Sequence, residues 1–87
     1  MTYYYVALET KSHAFLLEQR LRIANVQSEL TYMPRDIMTD LCNMGVKLPE
    51  TELYRGIDVI RRCGLPGCTI YREDISPTGY DYEKVCI

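Results

Sequence analysis

Four cysteines are the residues best suited to chemistry in this 87-residue chain. Cys42 follows the polar segment "MPRDIMTDL" (33–41), which also carries Arg35, whereas Cys63 and Cys68 flank the loop "GLPG". A cysteine reacts as its thiolate, and a nearby cation or helix N-terminus stabilises that form. The spacing therefore makes Cys42 the first candidate for a reactive thiol, with Arg35 as the cation beside it.

Two acidic residues in the same segment, Asp36 and Asp40, oppose thiolate formation at Cys42. A free cysteine is also commonly a small buried apolar residue with no chemical role, a reading that suits Cys63 and Cys68. Cys86 is the penultimate residue, and we assign it no function.

Three other arrangements of the same residues remain open. Cys42, Cys63 and Cys68 with a fourth ligand would make a tetrahedral metal site, although C-x4-C is not the common C-x2-C spacing. Cys63 and Cys68 would alternatively form a redox pair, since the glycines between them permit a tight loop. His13 would act as the base for Cys42 in a Cys–His dyad, or it is simply a solvated residue.

Composition narrows the class of protein. The chain is long enough for one domain, and its net charge of −2 with a pI near 5.3 argues against nucleic-acid binding. No apolar stretch is long enough to span a membrane, and the N-terminus "MTYYYVALET" lacks the features of a secretory signal. We therefore expect a cytoplasmic protein with free thiols, no cofactor and no membrane contact.

Hydrophobic periodicity predicts the elements that position these residues. Helical spacing starts at Ser12, a good N-cap, and ends at Asn25, which suits a left-handed cap. A second helix opens at Pro49 and stops at Gly64. Leu21 and Ile57 lie in the middle of the predicted buried stripes of the two helices. Alternating or β-rich runs predict strands at residues 3–8, 26–32, 44–48 and 68–73.

The resulting order, β-α-β-β-α-β, predicts an α+β fold with the ferredoxin-like split βαβ arrangement. We expect a four-stranded antiparallel sheet in the spatial order 4-1-3-2, with both helices on one face. Residues 1–74 are the predicted domain and residues 75–87 a C-terminal tail. Alternation at Tyr80, Tyr82 and Lys84 makes an additional edge strand the alternative for that tail.

This topology brings three connections to one end of the sheet. They lie between strand 1 and helix 1 (9–12), between strands 2 and 3 (33–43), and between helix 2 and strand 4 (63–67). The segment with Arg35 and Cys42 and the loop tip at Leu65 and Pro66 are therefore predicted to share one docking surface, at the N-terminus of helix 1. Neighbouring connections of this kind are about 10–15 Å apart, so we expect Cys42 to remain unbridged to Cys63 and Cys68.

Residues 3–73 resemble a family of small bacterial proteins known as selenium/sulfur carrier-like proteins. The resemblance rests on Met33-Pro34-Arg35 at the end of a strand, on Cys42 at the family cysteine, and on the strand "MGVKL" (44–48). Asn43 stands where the family has glycine, and the turn before Cys42 is acidic rather than serine-rich.

The resemblance implies a carrier rather than an enzyme that turns over substrate. Cys42 would accept sulfur or selenium as a persulfide or perselenide from a donor protein and pass it to an acceptor protein, and Arg35 would supply positive charge. The alternative is a non-catalytic interaction or regulatory module in which the cysteines are structural.

Overall fold

The computed structural model describes residues 2–37 and 44–85. Within them, five strands and two α-helices alternate in the order β1-α1-β2-β3-α2-β4-β5. Their bounds are β1 Tyr3–Ala7, α1 Lys11–Ile23, β2 Glu29–Tyr32, β3 Met44–Pro49, α2 Leu53–Cys63, β4 Thr69–Ser76 and β5 Gly79–Val85, with 3-10 turns at Arg35–Ile37 and Glu50–Glu52. Cys42 lies outside the described residues.

The strands form one antiparallel sheet in the order β2-β3-β1-β4-β5. The first four strands follow the predicted spatial order, but the predicted four-stranded sheet is wrong because a fifth strand is added at its edge. β4 extends to Ser76, and the two residues Pro77 and Thr78 turn the chain back so that Ser76 pairs with Gly79. The Ser76 hydroxyl donates to the Gly79 carbonyl at 3.0 Å, which stabilises this turn. The segment predicted as a tail therefore supplies a hairpin.

The N-cap of helix α1 lies two residues before the predicted cap. Thr10, not Ser12, is the N-cap, and its hydroxyl accepts a hydrogen bond from the His13 backbone N–H at 3.1 Å. At the other end Asn25 has a φ of 62°, as its left-handed cap role requires. The N–H groups of Asn25 and Val26 donate to carbonyls in the last turn of α1, a Schellman motif.

Helix α2 ends as predicted at Gly64, whose φ is 61°. Ile60 of the predicted stripe is buried, but the stripe differs at Ile57, which is only partly buried, and at Val59, which is buried instead. Gly56 explains the difference, because a Cβ there would lie 2.7 Å from Leu48 Cδ1. The helix therefore approaches β3 through its glycine, and that contact sets which side chains face the sheet.

Each face of the sheet has its own apolar cluster. The face covered by both helices contains the most deeply buried side chains: Val6, Leu17, Leu21, Val46, Leu48 and Ile70. The opposite face, called the open face below, carries Tyr5, Ala7, Met33 and Ile37, with Tyr71 and Tyr82 packed beside them. Residues 33–37, which follow β2, thus pack on the open face, away from the helices.

Candidate functional site

The strand register brings the predicted connections to one end of the sheet. Ala7, the last residue of β1, pairs with Gly45 of β3 on one side and with Thr69 of β4 on the other. Tyr32 and Met44, which flank the connection between β2 and β3, pair with each other at the same end. A Cβ on Gly67 would lie 2.7 Å from Glu9 Cγ, so the loops after β1 and α2 touch there. The expected common end is confirmed for the described residues.

Arg35 lies in the 3-10 turn Arg35–Ile37 after β2. Met33 and Ile37 on either side are buried against the open face, whereas Arg35 itself is exposed. Its guanidinium has no hydrogen bond or ion pair with the residues that the structure describes. The apolar neighbours thus hold the turn in place and leave Arg35 accessible to an anionic group in solution.

A glycine permits this turn to lie close to the sheet. A Cβ on Gly45 would collide with the Met33 sulfur and with the Val6 carbonyl oxygen. Gly45 therefore allows Met33 to pack directly on the first residues of β3. In sequence, Cys42 stands two residues before Met44, the first residue of that strand, so this packing anchors both sides of the segment that contains it.

His13, considered as a base for Cys42, is partly buried in the first turns of α1. Its Nδ1 atom is buried, and no hydrogen-bond partner for it exists among the described residues. Because Cys42 lies outside those residues, the dyad remains a sequence-based hypothesis.

Cys63 and Cys68 are free, partly buried thiols that pack against the helix-side cluster. Burial raises the pKa of Cys68, and the nearby Cys63 raises it further. Leu65 and Met44 pack against the same cluster. As for the metal-site alternative, no group of three or more potential ligands lies together in residues 2–37 and 44–85.

A buried polar network lies on the open face and was not expected from the sequence. Glu73 of β4 is the buried charged residue of the described chain, with 6% of its surface exposed. The Tyr82 hydroxyl donates to its Oε2 at 2.8 Å, and the rings of Tyr5 and Tyr82 meet edge-on with centroids 6.1 Å apart. The alternation of Tyr71 and Glu73 along β4 is a signal for this face, but Tyr82 is brought there only by the hairpin.

The charge of Lys47 extends this network across the sheet. Its Nζ atom lies 4.2 Å from the centroid of the Tyr3 ring and 5.6 Å from that of Tyr5. Burial lowers the pKa of Lys47, but its contact with Tyr5 and the charge of Glu73 outweigh burial and raise it overall. Lys47 is therefore held as a cation between two aromatic rings.

Neither α-helix of the described chain has the length and apolar character needed to cross a membrane.

Comparison with known protein families identifies a relationship for this chain. A family model described as "Putative Se/S carrier protein-like" matches residues 3–72, which include α1, α2 and β1 to β3 completely. No curated protein and no solved structure matches the chain. Since the match spans most of the 87 residues, the chain belongs to this selenium/sulfur carrier-like family.

Proposed function

We propose that this protein carries sulfur or selenium as a persulfide or perselenide on Cys42. The observation that supports the proposal most directly is the family match over residues 3–72, which includes Cys42. A carrier interacts with donor and acceptor proteins, and the proposal takes the cytoplasm as its compartment because thiols stay reduced there. The antiparallel sheet with its two helices would serve as the rigid support.

The loading step is an exchange between sulfur atoms. The Cys42 thiolate attacks the outer sulfur of a donor persulfide, a new sulfur–sulfur bond forms, and the donor leaves as its own thiolate. The same step with a perselenide transfers selenium. Arg35 is exposed and unpartnered among the described residues, so its guanidinium is available to stabilise the thiolate and the anionic persulfide that replaces it.

The docking surface in this proposal is the common end of the sheet. It consists of Arg35, Cys42 and the loop tip at Leu65 and Pro66. The described connections converge there through the pairing of Ala7 with Gly45 and Thr69. A donor that approached this end would contact the segment with Cys42 and the tip together.

A test uses the double variant Cys63→Ser, Cys68→Ser, which keeps Cys42 and Cys86. Treatment with glutathione persulfide should add the mass of one sulfur atom, and peptide mass spectrometry should place it on Cys42. Arg35→Ala should slow the loading, while Arg61→Ala, another exposed arginine, should not. Added sulfur on Cys86 alone, or none on either thiol, would contradict the carrier function.

Thiol reactivity supplies an independent test. In the folded wild-type protein, iodoacetamide should modify Cys42 faster than Cys63 and Cys68 at neutral pH. The packing of Cys63 and Cys68 against the core favours this order. The second candidate is an interaction module with structural cysteines, and equal or slower labelling of Cys42 in the folded protein would contradict the carrier function.

A further inference from the structure

A groove of about 510 Å³ runs between α1 and α2, away from the open face. Its apolar lining comes from Leu16, Ile23, Ala24 and Val59, and its polar lining from Arg20, Arg62 and Cys63. Arg62 is paired with Asp58 of its own helix, whereas Arg20 has no such partner among the described residues. The Cys63 thiol therefore borders an open groove in which an uncompensated guanidinium attracts anions.

Cys63 also has a second thiol near it. It is the last residue of α2, and Cys68 stands directly before β4. Gly64 and Gly67, with φ angles of 61° and 67°, turn the four-residue loop between them back on itself. Cys63 is close enough to raise the pKa of Cys68, and both thiols pack on the same cluster. Their surroundings differ, because Cys63 borders the groove and Cys68 does not.

We propose that Cys63 and Cys68 form a reducing dithiol that takes the outer sulfur or selenium of a persulfide or perselenide bound in this groove and releases it as sulfide or selenide. The proposal takes its substrate class from the proposed function, but its chemistry does not use Cys42. It assigns Cys63 as the attacking thiol and Cys68 as the resolving thiol.

The chemistry balances in two steps. First, the Cys63 thiolate attacks the outer sulfur of R–S–SH, so that Cys63 becomes a persulfide and R–SH leaves. Second, Cys68 attacks the Cys63 sulfur, the disulfide Cys63–Cys68 forms, and the outer sulfur departs as hydrogen sulfide with both remaining protons. The two thiols are oxidised by two electrons and the outer sulfur is reduced by two, so no other oxidant is required.

Burial gives the second step a distinct pH dependence. The pKa of Cys68 lies above its ordinary value because the thiol is buried and Cys63 is near. At neutral pH Cys68 is therefore mostly the unreactive thiol. Sulfide release should accelerate as the pH rises through the alkaline range in which Cys68 ionises. Removal of the Arg20 charge should instead slow the first step, because the anionic persulfide binds in the groove before it reacts.

The test uses the variant Cys42→Ser, Cys86→Ser, in which only the proposed dithiol remains. Glutathione persulfide should convert it to a form lighter by two hydrogen atoms, with a Cys63–Cys68 disulfide in the peptide map and stoichiometric sulfide. Adding Cys68→Ser should stop the reaction at a Cys63 persulfide, heavier by one sulfur atom and without sulfide release. Adding Cys63→Ser should abolish both products, and adding Arg20→Gln should slow the first step only.

Circular dichroism should show that each variant is folded, and Cys68→Ala replaces Cys68→Ser if the hydroxyl disturbs the packing. Two free thiols after treatment, in the folded variant, would overturn the proposal. Sulfur trapped first on Cys68 would overturn the assigned order of attack. Failure of Cys42 to accept sulfur, with the disulfide still formed, would reject the carrier function and leave the dithiol intact.

Discussion

The Tyr82 hydroxyl donates a hydrogen bond to Oε2 of Glu73 at 2.8 Å, and the two residues are directly paired across β4 and β5. Glu73 is 6% exposed, so this donor replaces part of the lost hydration of its carboxylate. The bond thus fastens the added hairpin strand to the sheet and satisfies a buried acid at the same time.

Tyr82→Phe should destabilise the folded protein by about 1–3 kcal/mol, because it leaves a buried carboxylate oxygen without its donor. Urea denaturation would measure the loss. Tyr80→Phe is the matched control: Tyr80 lies on the same strand and 58% of its surface is exposed, so we expect almost no change. Equal effects of the two variants would show that the hydrogen bond does not contribute.

The free energy of unfolding should fall when the pH rises above about 10, because Tyr5 and Tyr82 lose their protons beside Glu73. Burial and the hydrogen bond to Glu73 raise the pKa of Tyr82 above its ordinary value of 10.0, and burial followed by the charge of Glu73 does the same for Tyr5. The folded state therefore binds these protons more tightly than the unfolded state. Their contribution is complete below pH 10 and is lost at higher pH.

Urea denaturation from about pH 8 to pH 11 would follow this loss of stability. Tyr82→Phe should have the shallower decline in unfolding free energy, since it lacks one of the groups that titrate. A decline as steep as that of the wild type would show that Tyr82 does not cause the loss of stability at alkaline pH.

Leu21→Ala should cost about 2–5 kcal/mol, because Leu21 is fully buried between α1 and the sheet. Ile57→Ala removes the same number of carbon atoms from a site that is only partly buried, so we expect a distinctly smaller loss. Thermal or urea unfolding of both variants measures the difference. If Ile57→Ala lost as much unfolding free energy as Leu21→Ala, Ile57 would belong to the buried stripe of α2, as predicted from the sequence.

Gly45→Ala should destabilise the protein by about 1–3 kcal/mol, since the added methyl group meets the Met33 sulfur and the Val6 carbonyl. The Met33 methyl signal in NMR spectra should shift, because the turn that contains Arg35 must move. Gly64→Asn is the control: no atom lies within 4 Å of its Cβ position, and asparagine tolerates a φ of 61°. An unshifted Met33 signal would mean that Gly45 does not hold this turn.

Local patterns in the sequence determined most of the architecture. Asn25 and Gly64 marked the helix ends correctly because the left-handed conformation there excludes most side chains. The alternation of β3 and the helical period of α1 predicted the buried faces of these two elements, and the order of the elements led to the strand order found for β1 to β4. Residue type and spacing also named Cys42 and Arg35 as candidate reactive residues, and their role stays a prediction.

Only the tertiary structure determined the features that depend on contacts between different helices and strands. Residues 79–85 form a strand only because β4 continues to Ser76 and offers a partner, and an edge strand has little stability without one. Thr10 rather than Ser12 caps α1 because the sheet fixes where β1 ends, and both residues suit a cap. Glu73 is buried beside Tyr82, and Cys63 opens on a groove with Arg20, because packing joins residues far apart in sequence. No local pattern specifies such neighbours, since their free energy comes from contacts that exist only after the chain has folded.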